Sequence, residues 1–343
     1  MENFTLLLKK YADFIVRVGV NPQPGQTLVI NCCLEAAPLA RLCVRSAYEA
    51  GARDVLVNWS DNDVSRSRME LGSEEALTDF KSYQLRRYLD YAESEGGVCV
   101  LHLLADDPEV YAGLDGAKIS RVNAAQRKFM APWREYTMND RVQWSIAAMP
   151  SAPWAKKIFP ELDEAAAIEK LWQLIFDVCR VTDGDPVNEW KAHLDRLTGL
   201  KDKMNALDLE SVHFESGNGT DLTVGIADKA VWESAASVSE KGVVFLPNIP
   251  TEEVFTAPHK DKVNGIVYGT KPYVFNGQLI KGFHVTFKDG RVVEHGADEG
   301  AELLGQLLDT DEGARSIGEV ALVPASSPIN RSGALFYSTL FDE

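Results

Sequence analysis

Glu252 and Glu253 stand side by side in the run Pro247-Asn248-Ile249-Pro250-Thr251-Glu252-Glu253-Val254-Phe255-Thr256-Ala257-Pro258-His259, between two prolines. Proline holds its own φ near about −65° and pushes the preceding residue into extended conformations. Ile249 and Ala257 are therefore expected to be extended, with the acids on a pre-shaped loop or strand end. A preorganised backbone around carboxylates is what a metal site requires. In an extended segment consecutive side chains point to opposite faces, so the two acids are expected to do different jobs or to lie at different depths, for instance one binding a metal and the other handling a proton. The triplet His259-Lys260-Asp261 has the form of an H-x-D metal element, and His259 is read as a supporting residue beside the ligands.

A second acid, Glu319, heads the apolar run Val320-Ala321-Leu322-Val323. A carboxylate buried there without a partner is costly, and a cation is the natural partner. Gly318 beside it is expected to permit a close approach of chain or ligand. No sequence spacing or periodicity links Glu319 to Glu253.

These acids need a scaffold, and its outline shows in the hydrophobic pattern. Apolar residues recur at helical spacing from Phe4 to Val18. A short buried strand at Thr27–Ile30, a helix from Ala36 to Ala50 stopped by Gly51, and a strand from Asp54 to Trp59 follow. Val98–Leu104 and Trp144–Ala148 are further apolar strands, with helical stretches at Ser82–Tyr91 and Ala117–Phe129. Alternating strands and helices imply a largely parallel α/β sheet. A helical stretch from Leu162 to about Val181 leads into a polar helix ending near Asn205, and beyond it the pattern turns to short strands separated by turns. Among these, His284–Phe287 and Arg291–Val293 flank Asp289-Gly290, a strong two-residue hairpin signal. The expected architecture is a parallel α/β domain over 1–205 and a β-rich, mixed α+β domain over 206–343.

The chain of 343 residues suits about two domains. With 45% hydrophobic and 25% charged residues it has the make-up of a soluble globular protein. A formal charge of −16, with no basic run interleaved with aromatics, speaks against nucleic acid and favours cationic ligands such as a peptide amino terminus or a divalent metal. The five cysteines form no C-x-x-C and sit in apolar stretches, which fits reduced thiols in the cytoplasm. The amino terminus does not read as a secretion signal, and no apolar run approaches the roughly 18 residues that a membrane span needs.

Several chemistries are missing. The turn Asn31-Cys32-Cys33-Leu34-Glu35-Ala36-Ala37-Pro38 has no glycine for close approach to a pyrophosphate, which disfavours a nicotinamide oxidoreductase. There is no phosphate-binding G-x-x-x-x-G-K-[ST] loop, G-x-S-x-G elbow or H-E-x-x-H helix. His213-Phe214-Glu215 has deaminase spacing but no following P-C-x-x-C. His102, His193, His284 and His295 each stand alone and read as structural or solvated.

Taken in order, Pro250-Thr251-Glu252-Glu253-Val254-Phe255-Thr256 with Pro258-His259, Asp311-Glu312-Gly313-Ala314 with Gly318-Glu319, Ser327-Pro328-Ile329 and Thr339-Leu340-Phe341-Asp342-Glu343 resemble the metalloaminopeptidases typified by aminopeptidases T and S. Gly217–Leu222 and Pro153–Lys157 agree with the likeness, which covers essentially the whole chain. The resemblance implies a cytoplasmic homodimer that removes amino-terminal residues from peptides with two divalent ions, of zinc, cobalt, manganese or magnesium. It maps metal ligands onto Glu253 and Glu319, and adjacency to a ligand makes Glu252 the candidate general base. The family's remaining ligands, a histidine after an Asp-Glu-Asn-Ala element and a later His-x-Asp pair, are expected beyond Glu343, so the chain is expected to be truncated and to carry only part of the site. A non-catalytic folded scaffold is the competing expectation.

Overall fold

The computed structural model describes residues 3–105, 107–275 and 278–342. Contacts divide the chain into two compact units, the first running to Ala192 and taking up Ala236–Thr251, the second comprising His193–Ala235 and Glu252–Asp342. The compositional boundary at 205/206 coincides with the end of the Pro186–Ala206 helix, where strands begin; the contact division falls within that helix.

In the first unit β1 (Thr27–Cys33), β2 (Asp54–Ser60), β3 (Val98–Leu104) and β4 (Trp144–Ala148) form one parallel sheet in the order β2-β1-β3-β4. Leu28, Ile30, Val98, Cys99, Val100 and Leu101 on its central strands are buried. Val29, Val98 and Val100 pack with Leu85, Tyr88 and Leu89 of the Ser82–Ala92 helix, while the Ala37–Glu49 helix lies against β1. Helical cover is why these strands read as continuous apolar runs instead of alternating ones. The helical spacing that begins at Phe4 is realised as an α-helix to Phe14 and a π-helix over Ile15–Val20, ended by a left-handed Asn21. After β1 comes a tight 3-10 turn, Leu34–Ala36, without glycine. All five cysteines are buried.

The second unit begins within the long helix and continues through β5 (Ser211–Glu215), β6 (Asp221–Ile226) and β7 (Glu233–Ser234). The chain then returns to the first unit. There β8 (Ser237–Val238) pairs with β9 (Val244–Phe245), and the next residues run along the outer side of β4. Ile146 N–H donates to the Pro247 carbonyl at 2.7 Å, and Ile249 N–H donates back to the Ile146 carbonyl at 2.9 Å.

Back in the second unit, β10 (Val254–Thr256), β11 (Pro258–Tyr268), β12 (Tyr273–Phe275), β13 (Gln278–Ile280), β14 (His284–Lys288), β15 (Arg291–Gly296) and β16 (Val320–Leu322) follow, with a helix at Ala301–Leu308. They build an antiparallel sheet in the order β15-β14-β11-β6-β5 and a smaller antiparallel one in the order β16-β10-β7. Leu222, Val224, Val254, Val263, Leu304 and Val320 close a shared core with Leu197 of the long helix. The architecture is thus a parallel α/β sheet followed by a mixed α+β region, as the hydrophobic pattern implied.

Asp289 and Gly290 form the expected hairpin turn, both with positive φ, 49° and 80°. A Cβ on Gly290 would stand 1.6 Å from the Lys260 carbonyl oxygen. That clash and the left-handed φ act together, so Gly290→Ala is expected to lower the unfolding free energy by about 1 kcal/mol or more, read from urea denaturation.

Candidate metal and proton-transfer site

Glu252 and Glu253 lie immediately before β10, after a cis Ile249–Pro250 peptide. Val254 and Thr256 of β10 are buried, Val254 within the second unit's core. Alternation along the strand sends Glu252 to that inner side and Glu253 to the other. Burial follows this rule: Glu252 is only 5% exposed, whereas Glu253 is half-buried. The Glu252 carboxylate faces His193, with Oε1 3.6 Å from Nε2, and the other ring nitrogen of His193 is 2.6 Å from Nη2 of Arg196.

Glu319 immediately precedes β16, which pairs with β10 through Val254↔Leu322, Phe255↔Ala321 and Thr256↔Val320. Carrying this register one residue past each end sets Glu253 opposite Val323 and Glu319 opposite Ala257, both on the face turned from the core. The two acids therefore flank opposite ends of one ladder, roughly 13 Å apart along the strands. Most of Glu319 is exposed, but partial burial of its carboxyl pushes its pKa above the usual glutamate value. Gly318 does not sit at a close approach: a Cβ there would meet nothing within 4 Å, because the backbone faces open space.

His259 lies half-buried near the start of β11, where the register shifts between Pro258 and Val263. Its Nδ1 accepts from the Asp261 backbone N–H at 3.2 Å, so the H-x-D triplet is closed on itself by a local hydrogen bond. His213 pairs with Asp221 across β5 and β6, in the open, at 2.8 Å. Among the described residues, no three His, Cys, Asp or Glu side chains are grouped to hold a metal ion.

His193 is the neighbour of the acids that sequence reasoning missed. It is far from Glu252 in the chain, and a lone histidine in a polar helix carries no metal or catalytic pattern. The one available signal was Arg196 three residues on, a spacing that puts two side chains on one face of a helix.

The thermophilic metalloprotease family (M29) matches the chain over residues 4–343. Aminopeptidase 2 of Geobacillus stearothermophilus is 44% identical over 343 residues, covering 100% of this chain and 82% of that protein. Aminopeptidase AmpS of Bacillus subtilis (strain 168) is 40% identical, covering 100% of this chain and 83% of its own length. A solved structure described as wild-type AmpT from Thermus thermophilus has a TM-score of 0.91 at 36% identity, covering 99% of this chain and 83% of that one. On a match that runs through both units and carries the same fold, the chain belongs to the thermophilic metalloprotease family M29.

Proposed function

We propose that the protein is a metal-dependent aminopeptidase that releases amino-terminal residues from peptides. The observation that carries this reading is the family match over residues 4–343, supported by relatives that are themselves named aminopeptidases. The net charge of −16 favours a substrate whose end is a cationic ammonium. In this reading residues 206–343 are the catalytic domain, residues 1–205 form the N-terminal α/β domain, and the protein works as a cytoplasmic homodimer. Among the described residues no helix is long and apolar enough to cross a membrane.

The metal is two divalent ions, of zinc, cobalt, manganese or magnesium, and Glu253 and Glu319 are ligands. An ion takes about four to six donors, and two carboxylates fall short of that. With no third donor grouped for an ion among the described residues, those residues do not by themselves fit a complete site. When bound, divalent ions supply Lewis-acid activation of water and carbonyl. Glu252 accepts the proton from a buried position, and His259 supports the loop on which the acids lie. The shortage of donors favours a second reading, a folded non-catalytic binding protein of the same family. Metal stoichiometry measured together with hydrolysis of a leucine anilide, with cobalt, zinc or manganese added, separates the two. Turnover with two ions per chain supports the peptidase; a folded chain with neither metal nor turnover supports the scaffold.

Glu252→Gln is expected to keep the metal content and cut kcat by about 100-fold or more. Wild-type turnover in that variant would remove Glu252 from the chemistry.

Glu319 gives a separate test through stability. Its folded-state pKa is raised by burial, so the favourable protonated state is fully present below the unfolded pKa and is lost as pH rises through the folded one. Ionised Glu319 then weighs against folding at neutral pH. Glu319→Gln is expected to melt no lower than the metal-free wild type near neutrality, with its relative advantage shrinking as pH falls through the raised folded-state pKa and gone below about pH 4. A pH-independent drop in Tm would show that the carboxylate instead makes a stabilising contact.

A further inference from the structure

The second unit holds a titratable cluster that the assignments above leave unused: buried His193 against Glu252, with Arg196, exposed at its outer end, on the same face of the long helix. The His193 and Glu252 side chains are 1% and 4% exposed. A guanidinium has only N–H donors and no acceptor, so the 2.6 Å contact between Arg196 Nη2 and His193 Nδ1 requires Nδ1 to accept. A neutral imidazole carries a single N–H, which must then be on Nε2. Nε2 is the nitrogen that faces Glu252 Oε1, at 3.6 Å. A cationic ring would set a second N–H against a guanidinium donor. Arg196 therefore determines which face of the imidazole donates, and that face is turned to the carboxylate.

We infer that His193, held in its Nε2–H tautomer by Arg196, is the positioning residue for the Glu252 carboxylate. This rests on the assignment of Glu252 as proton acceptor. A glutamate side chain has several rotatable bonds, and a donor aimed at one carboxylate oxygen fixes where the other points. The 3.6 Å separation is slightly beyond hydrogen-bond length, of the kind that tightens when substrate binds.

Side-chain ¹⁵N spectra of the folded chain at about pH 8, where an ordinary imidazole is neutral, read the tautomer directly. The His193 signals are identified by their loss in His193→Gln. The expected pattern is protonated Nε2 and bare Nδ1; a protonated Nδ1, alone or in an imidazolium, overturns the inference whatever the activity of the chain. In the metal-supplemented anilide assay, His193→Leu is expected to lower kcat by about 10-fold or more with KM within about twofold, and His193→Gln, which keeps an N–H near the Nε2 position, to restore most of the loss. Wild-type kcat in His193→Leu, alongside a Glu252→Gln that has lost turnover, overturns the positioning role. Wild-type turnover in Glu252→Gln sinks the Glu252 assignment instead, and leaves the tautomer result standing.

Discussion

Side-chain alternation along a three-residue strand is the constraint on which the candidate site depends. β10 is held on one edge by β16 and on the other by β7, so its faces cannot exchange. Val254 and Thr256 must then face inward, and the two residues before them inherit the same parity. One glutamate is driven into the interior and its neighbour is turned away, although they are chemically identical and adjacent. A register slip of one residue would exchange them, placing Glu253 beside His193 and exposing Val254, a loss the apolar core opposes.

The same ladder explains why two acids far apart in sequence belong to one sheet. Antiparallel pairing of β10 with β16 brings Glu253 and Glu319 to the two ends of a single short ribbon. What they meet on that face differs from what Glu252 meets on the other. There the long helix supplies an imidazole and, behind it, a guanidinium. The candidate site is thus two-sided, with carboxylates on the outer face and a buried imidazole against a carboxylate on the inner one.

Much of this was legible in the residues. Continuous apolar runs marked β1, β3 and β4 because both faces of a parallel sheet are covered, and Asp289-Gly290 marked its hairpin because few dipeptides accept two positive φ values. The proline-fenced acids stood out for the same local reason. What was not legible was long-range. β11 runs from Pro258 to Tyr268, and its polar first half joins the strand through a bulge near Pro258–Val263 that no local pattern announces. His193 meets Glu252 only through the fold, and Gly318, whose residue type suits a close approach, borders open space. The excursion of 236–251 into the first unit leaves no compositional trace, because β-bridges to a distant strand have no local period.

That excursion bears on how the protein is made. β4 pairs with β3 on one side, and on its other side the N–H and carbonyl of Ile146 are met by Pro247 and Ile249. During synthesis the last strand of the first sheet is complete roughly a hundred residues before this stitch is made, about 5 to 20 s at ordinary elongation rates. For that interval the nascent chain displays a bare strand of the kind that recruits neighbouring chains into aggregates. Folding of the first unit is therefore finished only when part of the second has already been translated, and a chaperone holding the growing chain would have its greatest effect in that window.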